Sequence, residues 1–416
     1  MTSRKLIAIC ALLLLPSLAL ATNGYFSHGV GMKSKAMGGA GLALAQDAMA
    51  GGNNPAGFAF IERRVELGVD WFRPDRGSVI TGNAFGVDGD YDANDTASFF
   101  MPEFGIAWPM SDVMSLGLSV YGNGGMNTSY TTPIGLFGTT NAGVNLSQLF
   151  IAPTLAFEFM PGNAIGVTFN YAWQSFEATG LQNFAAASMD GDNLTDNDAS
   201  TSTGFGFRVG YMGQLTEALS LGATYQGKTN MSEFDEYAGL FAEAGDFDIP
   251  SSYAAGFAYI AGATTVAFDW SHINYSEVAS IANPMSKMFE PQPLGGDEGP
   301  GFGWEDMDVF KLGLIYAAKD NLDLRAGFNY GAQPIPAGET LFNMLAPGVV
   351  ESHYTFGTTW TTPKGCELTF GVMYAPEVTL EGENSIPPGN PPGMGGGEAD
   401  LHMSQMTVGL SYAKPF

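Results

Sequence analysis

The chain has 416 residues, of which 45% are hydrophobic and only 14% are charged, and its formal net charge is −26 at neutral pH. This acidic balance excludes nucleic acid as a partner, because no basic stripe is present to neutralise phosphates. The chain holds 56 glycines and many aromatic residues. Beyond the first 21 residues, no apolar run is long enough for a transmembrane helix. That composition favours a membrane β-barrel, and a large soluble β protein stays the alternative.

The first 21 residues have the features of a secretory signal peptide. A basic start is followed by an apolar core over residues 6–15 and by the cleavage site Ala19-Leu20-Ala21. We expect the mature chain to begin at Thr22, with a net charge of −26 − 2 = −28, because cleavage removes two basic residues. Only Cys366 would remain, and a single cysteine excludes an intrachain disulfide.

Residues 22–61 show no strand alternation and are rich in alanine, glycine and methionine. They could form a disordered tail or a segment folded back into the interior of a barrel. Disordered segments are poor in apolar residues, and this segment is not. We therefore favour a plug in which Tyr25 and Phe26 are buried.

From residue 62 onward one unit repeats: a two-faced strand, a tight turn, a second such strand and a longer polar loop. Side chains of a strand alternate between its two faces. In the last strand the apolar face carries Met406, Val408, Leu410, Tyr412 and Phe416. We count about fourteen strands, each long enough to cross hydrocarbon when tilted. The pattern predicts an all-β fold over residues 62–416: a closed antiparallel barrel in the outer membrane of a Gram-negative bacterium, with short turns towards the periplasm.

Four N-terminal stretches, Gln46-Asp47-Ala48 among them, resemble the hatch of FadL-type outer-membrane transporters, a family of long-chain fatty acid channels and aromatic-hydrocarbon uptake proteins. The others are residues 22–29, residues 35–41 and above all Asn54-Pro55-Ala56. The resemblance implies a fourteen-stranded barrel with residues 22–61 as a hatch in its lumen. Asn54, Pro55, Ala56, Tyr25 and Phe26 would then belong to the gating segment. The resemblance also implies capture of a hydrophobic substrate by outer loops, transfer to a lumenal pocket and lateral exit beside a kinked third strand.

Glycines end the predicted third strand at the position where that kink would be needed. Glycine permits a bulge or a sharp bend within a strand, but it also begins many loops. Both interpretations are open for Gly122, Gly124 and Gly125.

Two stretches predicted to be external loops carry apolar side chains at helical spacing. Residues 232–245 begin with serine, carry early acids and end with glycine, which predicts a helix. One face of that helix would carry Phe234, Tyr237, Leu240 and Phe241. Leu181 and Phe184 would lie on a second such face. Apolar side chains on external loops indicate either a groove for an alkyl chain or the packing of one loop on another.

Few cations are predicted to point into the lumen. They are Arg208, Lys311 and Arg325. Lys311 and Arg325 lie on paired strands at similar distances from the turn, so we expect them to be neighbours. A fatty acid carboxylate would suit such cations, since charge-assisted hydrogen bonds are strong. A salt-bridge network with inward acids such as Asp323 and Asp269 is the competing interpretation.

The four histidines form no recognisable catalytic pair, and no metal-ligand spacing or phosphate-binding loop is present. We therefore predict no enzyme activity, no metal and no cofactor. The acidic loops could be solvated tips or sites where divalent cations bridge to lipid head groups. The predicted function is a monomeric channel for passive entry of hydrophobic molecules into the outer membrane, chiefly long-chain fatty acids. An aromatic-hydrocarbon channel, an acidic-lumen general porin and, more remotely, a barrel lipase are the alternatives.

Overall fold

A computed structural model describes residues 23–290, 292–389 and 393–416. The predicted signal peptide, residues 1–21, lies outside the described residues. Fourteen long antiparallel strands form one closed sheet within them, and the first strand pairs with the last from Arg64–Pro415 to Thr81–Glu398. The strands are β1 (Arg64–Thr81), β2 (Phe99–Pro109), β3 (Met114–Ser129), β4 (Gly143–Met160), β5 (Asn163–Thr179), β6 (Ser200–Gln214), β7 (Leu219–Gln226), β8 (Ser252–Ala261), β9 (Thr264–Ile273), β10 (Met307–Lys319), β11 (Leu322–Gly331), β12 (Ser352–Thr361), β13 (Glu367–Leu380) and β14 (Glu398–Pro415). The predicted all-β barrel of fourteen strands is confirmed.

The outer face of the barrel is apolar, as the alternation predicts. In β14, Met406, Leu410 and Tyr412 are exposed, while Thr407 and Ser411 between them are buried. A closed sheet pairs most of its backbone groups around the circumference, as a hydrocarbon environment requires of a spanning structure. Two short strands in the outer loops, Gly89–Asp92 and Asn230–Met231, pair with β1 and β6.

Helical segments are short and lie in the hatch or in the outer loops. The α-helices are Met32–Lys35, Ala50–Asn53, Ala242–Gly245, Ala279–Ala282 and Thr340–Asn343. The 3-10 helices are Pro55–Phe60, Gln182–Ala187, Gly191–Asn193, Asp235–Tyr237, Tyr275–Glu277, Met285–Phe289 and Ala337–Glu339. In the part of the chain that the structure describes, no helix has the length and apolar character needed to cross a bilayer.

Residues 23–61, called the hatch below, lie inside the barrel against a belt of wall glycines. A β-carbon built on any of these glycines would approach a hatch atom more closely than 3.0 Å. The glycine belt consists of Gly105, Gly117, Gly166, Gly210, Gly222, Gly313, Gly327, Gly357, Gly371 and Gly409. Because real β-carbons essentially never approach other atoms this closely, the wall at this level has room for the hatch only where side chains are absent. The glycine content of the strands is therefore partly explained by hatch packing.

Candidate functional site

β2 and β3 are paired with one another over only part of their length. The last pair is Phe104–Val120. Beyond it, residues 99–103 still pair with β1 and residues 121–129 still pair with β4, but the two stretches do not pair with each other. Pro102, in the unpaired part of β2, has no N–H and therefore adds no unpaired donor there. We call this unpaired stretch between β2 and β3 the wall gap.

A β-bulge on β3 lies at the wall gap. The register between β3 and β4 shifts between Gly122 and Gly124. A bulge bends its strand and increases the local twist, so β3 is free to diverge from β2 here. The bulge also reverses the alternation: Tyr121 is buried before it, and Met126 and Thr128 are buried after it. The three predicted kink glycines all lie at this bulge or next to it: Gly122, Gly124 and Gly125.

The first residues of the hatch fill the inner side of the wall gap. The Gly125 N–H donates a hydrogen bond to the Tyr25 carbonyl at 3.0 Å, and the Ser27 N–H donates to the Asn123 carbonyl at 3.2 Å. Phe26, between these two hatch residues, forms an antiparallel bridge with the bulge. The hatch therefore supplies β3 with backbone partners that β2 does not provide.

Aromatic side chains hold this part of the hatch against the outer loops. Tyr25 is fully buried, and its ring centroid lies 4.8–6.1 Å from those of Phe26, Phe247, Tyr275 and Trp304. The Tyr275 hydroxyl donates a hydrogen bond to the Asn23 carbonyl at 2.6 Å. Tyr275 and Trp304 both belong to the long segment between β9 and β10, so movement of that loop would disturb the hatch.

A cavity of about 120 Å³, called the chamber below, lies between this part of the hatch and the wall. Arg208 and Lys311 both line it, together with Gln226, which accepts a hydrogen bond of 2.5 Å from the Arg208 guanidinium. Neither cation forms an ion pair within the described residues. The nearby Asp269 carboxylate instead accepts hydrogen bonds from two hatch N–H groups, at 2.7 and 3.0 Å. Two cationic side chains therefore face a cavity that Asp269 also lines, but neither lies within ion-pair distance of that carboxylate.

The third predicted cation, Arg325, is not part of the chamber. Its guanidinium donates to the Thr359 hydroxyl at 2.6 Å and lies 3.3 Å from the Asp323 carboxylate. The expectation that Lys311 and Arg325 are neighbours is wrong, because Lys311 lies opposite Asn329 and Arg325 lies opposite Ile315. The two residues are not at similar distances from the turn, because Lys311 lies eight residues before the end of β10 at Lys319 (319 − 311) and Arg325 lies three residues after the start of β11 at Leu322 (325 − 322).

Four of the six predicted groove residues line one apolar pocket in the outer loops. They are Leu181, Phe184, Leu240 and Phe241. The pocket, called the outer pocket below, has a volume of only about 40 Å³, and Phe176, Phe302 and Phe342 are among its other walls. Phe234 and Tyr237 pack behind it, with ring centroids 5.6 and 4.9 Å from that of Phe176. An alkyl chain would fit only if these side chains moved apart.

The predicted helix over residues 232–245 is wrong. The segment contains a 3-10 turn, Asp235–Tyr237, and one short helix in which Glu243 and Ala244 have left-handed φ values of 56° and 57°. Their N–H groups bond to carbonyls of residues 295–296 in another loop. Ser232, the expected N-cap, accepts a hydrogen bond from the Thr203 N–H instead. Contacts between loops therefore override the local helical signal.

Asn54-Pro55-Ala56 is anchored to the wall on one side and to the hatch on the other. The buried Asn54 amide donates to the Leu42 carbonyl at 2.7 Å and to the Tyr211 carbonyl of β6 at 2.9 Å. Its side-chain oxygen accepts from the Ala56 N–H at 3.1 Å. Pro55 lies against Gly166 and Gly210 of the glycine belt. This motif therefore joins two hatch turns to β5 and β6.

Buried ion pairs join the hatch to β1, β2 and β13. Lys35 bonds to both Asp70 and Glu103. Burial alone would lower the pKa of Lys35, but the two carboxylates outweigh it and hold the pKa above its ordinary value. Lys33 lies 2.8 Å from Glu367, which also pairs with Arg64 at 2.9 Å.

Sequence reasoning missed these hatch cations and also Arg76, which lies on the inner face of β1. The alternation of β1 was followed only as far as Phe72, although the strand continues through Pro74 to Thr81. Extending the same alternation by two further inward positions would have found Arg76. Within the described ranges, no group of three or more His, Cys, Asp and Glu side chains is arranged to hold a metal ion.

A closed barrel with an apolar exterior and a packed inner segment is the architecture of an outer-membrane transport protein. The chain belongs to the outer membrane protein transport protein family (OMPP1/FadL/TodX), whose model matches residues 17–386. It is therefore a channel for hydrophobic compounds in the outer membrane of a Gram-negative bacterium. Its relatives are transport channels rather than enzymes.

Solved structures share this fold at low sequence identity. The P. putida toluene transporter TodX is 18% identical, with a TM-score of 0.67 and 94% of this chain and 99% of that chain covered. A Pseudomonas aeruginosa FadL homologue is 17% identical, with a TM-score of 0.70 and 94% and 100% covered. The Ralstonia pickettii toluene transporter TbuX is 17% identical, with a TM-score of 0.65 and 94% and 99% covered. No curated protein sequence matches the chain. These identities establish the fold and not the substrate.

Proposed function

We propose that this channel takes up long-chain fatty acids as a monomer and releases them sideways through the wall gap. The observation that carries the proposal is the chamber, in which Arg208 and Lys311 have no paired anion. Holding these two half-buried cations away from water without an anionic partner is costly, although the Arg208 guanidinium does bond to Gln226. A fatty acid carboxylate would remove that cost by forming charge-assisted hydrogen bonds with both side chains.

The proposed path passes through the outer pocket, the chamber and the wall gap in that order. The outer pocket first receives the alkyl chain, after Phe184 and Phe241 move apart. The carboxylate then reaches Arg208 and Lys311 in the chamber. The chamber is also lined by Phe26 and Ser27 of the hatch and by Asn123 of the bulge. A molecule held there is therefore next to the wall gap, and it could leave once the first hatch residues withdrew from β3.

Gating would then belong to the hatch, and above all to its first residues and to Asn54-Pro55-Ala56. Tyr25 and Phe26 cover the wall gap. The Asn54 side chain, through its bonds to the Leu42 and Tyr211 carbonyls, holds the later part of the hatch against β6. The glycine belt surrounds the hatch closely, which favours a local withdrawal of residues 23–27 over displacement of the whole segment.

An aromatic-hydrocarbon channel is the second candidate, and the outer pocket supports it. The pocket is lined almost wholly by apolar side chains and offers no charge to a ligand. A neutral arene would use that pocket and would gain nothing from Arg208 or Lys311. A general porin for polar solutes is disfavoured, because the packed hatch obstructs the lumen.

Ligand binding to purified protein distinguishes the two candidates. We expect Lys311→Met and Arg208→Met each to weaken binding of a long-chain fatty acid about ten-fold to a hundred-fold, since a hydrogen bond to a charged group contributes about 1.5–3 kcal/mol. Binding of the methyl ester of the same acid should change little. Lys319→Met is the matched control, because Lys319 is an exposed cation on the same strand. Equal binding of acid and ester by the unmodified protein, together with tight binding of toluene, would favour the aromatic candidate.

A disulfide across the wall gap tests the lateral exit. Ser27→Cys and Asn123→Cys, in a Cys366→Ser background, would place two thiols where the hatch pairs with β3. We expect oxidation to stop fatty acid uptake and reduction to restore it, while binding in the chamber persists. Full uptake by the oxidised form would exclude exit through the wall gap.

A further inference from the structure

Between β1 and β3, the place of β2 beyond Phe99 is only partly taken by the short strand Gly89–Asp92, which pairs with residues 77–80 of β1. β1 continues to Thr81 and β3 continues to Ser129, so both neighbours extend beyond the strand that separates them. Part of this space is closed by the loop after β1, where the Ser129 backbone bonds to Ala93 at 3.1 Å and to Asp95 at 3.0 Å. Between this loop and the start of β2, the Arg76 side chain reaches from β1 to β3.

Arg76 is fully buried and joins three segments of the wall. Its Nε–H donates to the Asn127 carbonyl of β3 at 2.7 Å, and one Nη–H donates to the Asn127 side-chain oxygen. The same Nη donates to the Thr96 carbonyl at 2.8 Å, and the other Nη donates to the Asn94 side-chain oxygen at 3.3 Å. The guanidinium carbon also lies 6.0 Å from the centre of the Phe99 ring, at the first residue of β2.

All of these hydrogen-bond partners are neutral. Among the described residues no carboxylate lies within ion-pair distance of Arg76. Burying a cation with neutral partners alone is unfavourable compared with an apolar side chain of similar size. The guanidinium carries several N–H donors in one plane, so it can bond to β3 and to the loop at the same time. A lysine ammonium, which donates from a single atom, could not do this.

We propose that the hydrogen bonds of Arg76 close the wall gap at the end that lies beyond Phe99, and that Arg76 thereby limits the size of the compounds that leave through it. We call this role the upper stop. The inference rests on the lateral exit proposed above. The gap is bounded below by the Phe104–Val120 pair and above by the bonds from Arg76 to Asn127. Residues 121–126 of β3 lie between these limits, which corresponds to an opening about 20 Å long at most. Arg76 is a positioning residue, since all its bonds are to the wall.

Uptake of a bulky probe tests this assignment. A fatty acid that carries a terminal pyrene should enter slowly through the unmodified protein, and the unlabelled acid should enter quickly. In Arg76→Met we expect uptake of the pyrene acid to rise about ten-fold, because losing one hydrogen bond to a charged group already changes an equilibrium by that factor. Uptake of the unlabelled acid should be retained. Arg73→Met is the matched control, since Arg73 is an exposed arginine on the same strand.

Asn127→Ala provides a second variant in case Arg76→Met does not assemble. It keeps the arginine but removes its side-chain acceptor on β3, and it should raise uptake of the pyrene acid in the same direction. Unchanged exclusion of the pyrene acid by either variant, in a barrel that shows normal heat-modifiable migration, would overturn the role of Arg76. The Ser27–Asn123 disulfide separates the two proposals. If it blocks uptake while Arg76→Met behaves like the unmodified protein, the lateral exit stands and the upper stop fails; if it does not block uptake, the lateral exit itself fails.

Discussion

Replacing Lys35 by methionine should loosen the hatch without unfolding the barrel. Lys35 is the only cation in direct contact with Asp70 and Glu103 among the described residues. All three side chains are buried, with 8%, 1% and 4% of their surfaces exposed. The methionine would fill a similar volume but would leave two carboxylates without a cation.

The size of the effect follows from this burial. Removing one partner of a buried ion pair costs about 3–5 kcal/mol, because an uncompensated charge remains. Each 1.4 kcal/mol is about a factor of ten in an equilibrium constant, so the docked hatch would lose about two to three and a half powers of ten in its population ratio. The barrel strands keep their own hydrogen bonds, so we expect the loss to appear in the hatch.

Hydrogen exchange measured by mass spectrometry on the purified barrel can test this expectation. Peptides from residues 32–53 should exchange faster in Lys35→Met, and liposomes that contain the variant should swell faster in a small sugar. Lys33→Met is the matched control, because its partner Glu367 retains Arg64 at 2.9 Å. We expect that control to cost less than Lys35→Met, because Glu367 keeps a cation and the other bond lost is the one from Lys33 to the Gln46 carbonyl.

Charge removal on the wall provides a rescue. In the triple variant Lys35→Met, Asp70→Asn, Glu103→Gln, no buried charge remains unpaired at this place, and protection of residues 32–53 should largely return. Unchanged exchange in Lys35→Met, or a triple variant that is looser than the single one, would refute the ion-pair reasoning.

Three further changes probe other parts of the molecule. Gly327→Val places a side chain against the Met37 backbone and should reduce the yield of folded barrel, whereas Gly338→Val meets no close atom and should not; heat-modifiable migration measures both. Burial and the neighbouring carboxylate of Asp248 raise the pKa of Asp246 to about 7. The folded loop therefore binds this proton more tightly than the unfolded loop does, so loop stability is greatest below pH about 4 and falls as the pH rises through about 7. Hydrogen exchange of residues 240–250 should quicken over that interval, and Asp246→Asn should flatten the dependence; equal exchange at both ends would contradict this. Asn54→Ala removes two hydrogen bonds to buried carbonyls and should alter fatty acid uptake in an assembled barrel, and wild-type uptake rates would argue against a gating role.

The barrel was predictable because strand alternation is a local property. Membrane strands keep one face apolar, so each strand can be recognised without knowing its neighbours. The C-terminal strand shows this well, since Leu410 and Tyr412 are exposed and Ser411 is buried as predicted. Chain length and an even strand number then restrict the closed arrangement to a few choices.

The site was less predictable because it depends on register, bulges and contacts between loops. Arg208 and Lys311 do line one cavity, but Arg325 does not, since Arg325 lies much nearer the turn on its strand than Lys311 does on the paired strand. The bulge after Gly122 reverses the alternation, so the inward position of Met126 could not be read from the earlier part of β3. The hatch has no periodicity at all, and its course follows only from the shape of the wall.

The glycine belt has a consequence for engineering. An added β-carbon at any of the ten positions would come within 3.0 Å of residues 23–61, and at Gly105, Gly166, Gly222 and Gly327 it would meet hatch backbone, which cannot give way as a methionine side chain can. The cylinder and its inner segment are therefore a matched set, and neither can be exchanged alone. A chimera that combines this barrel with a relative's N-terminal segment should assemble only where the donor backbone follows the same track, and co-transplanting the facing glycines would be the way to make other combinations fold.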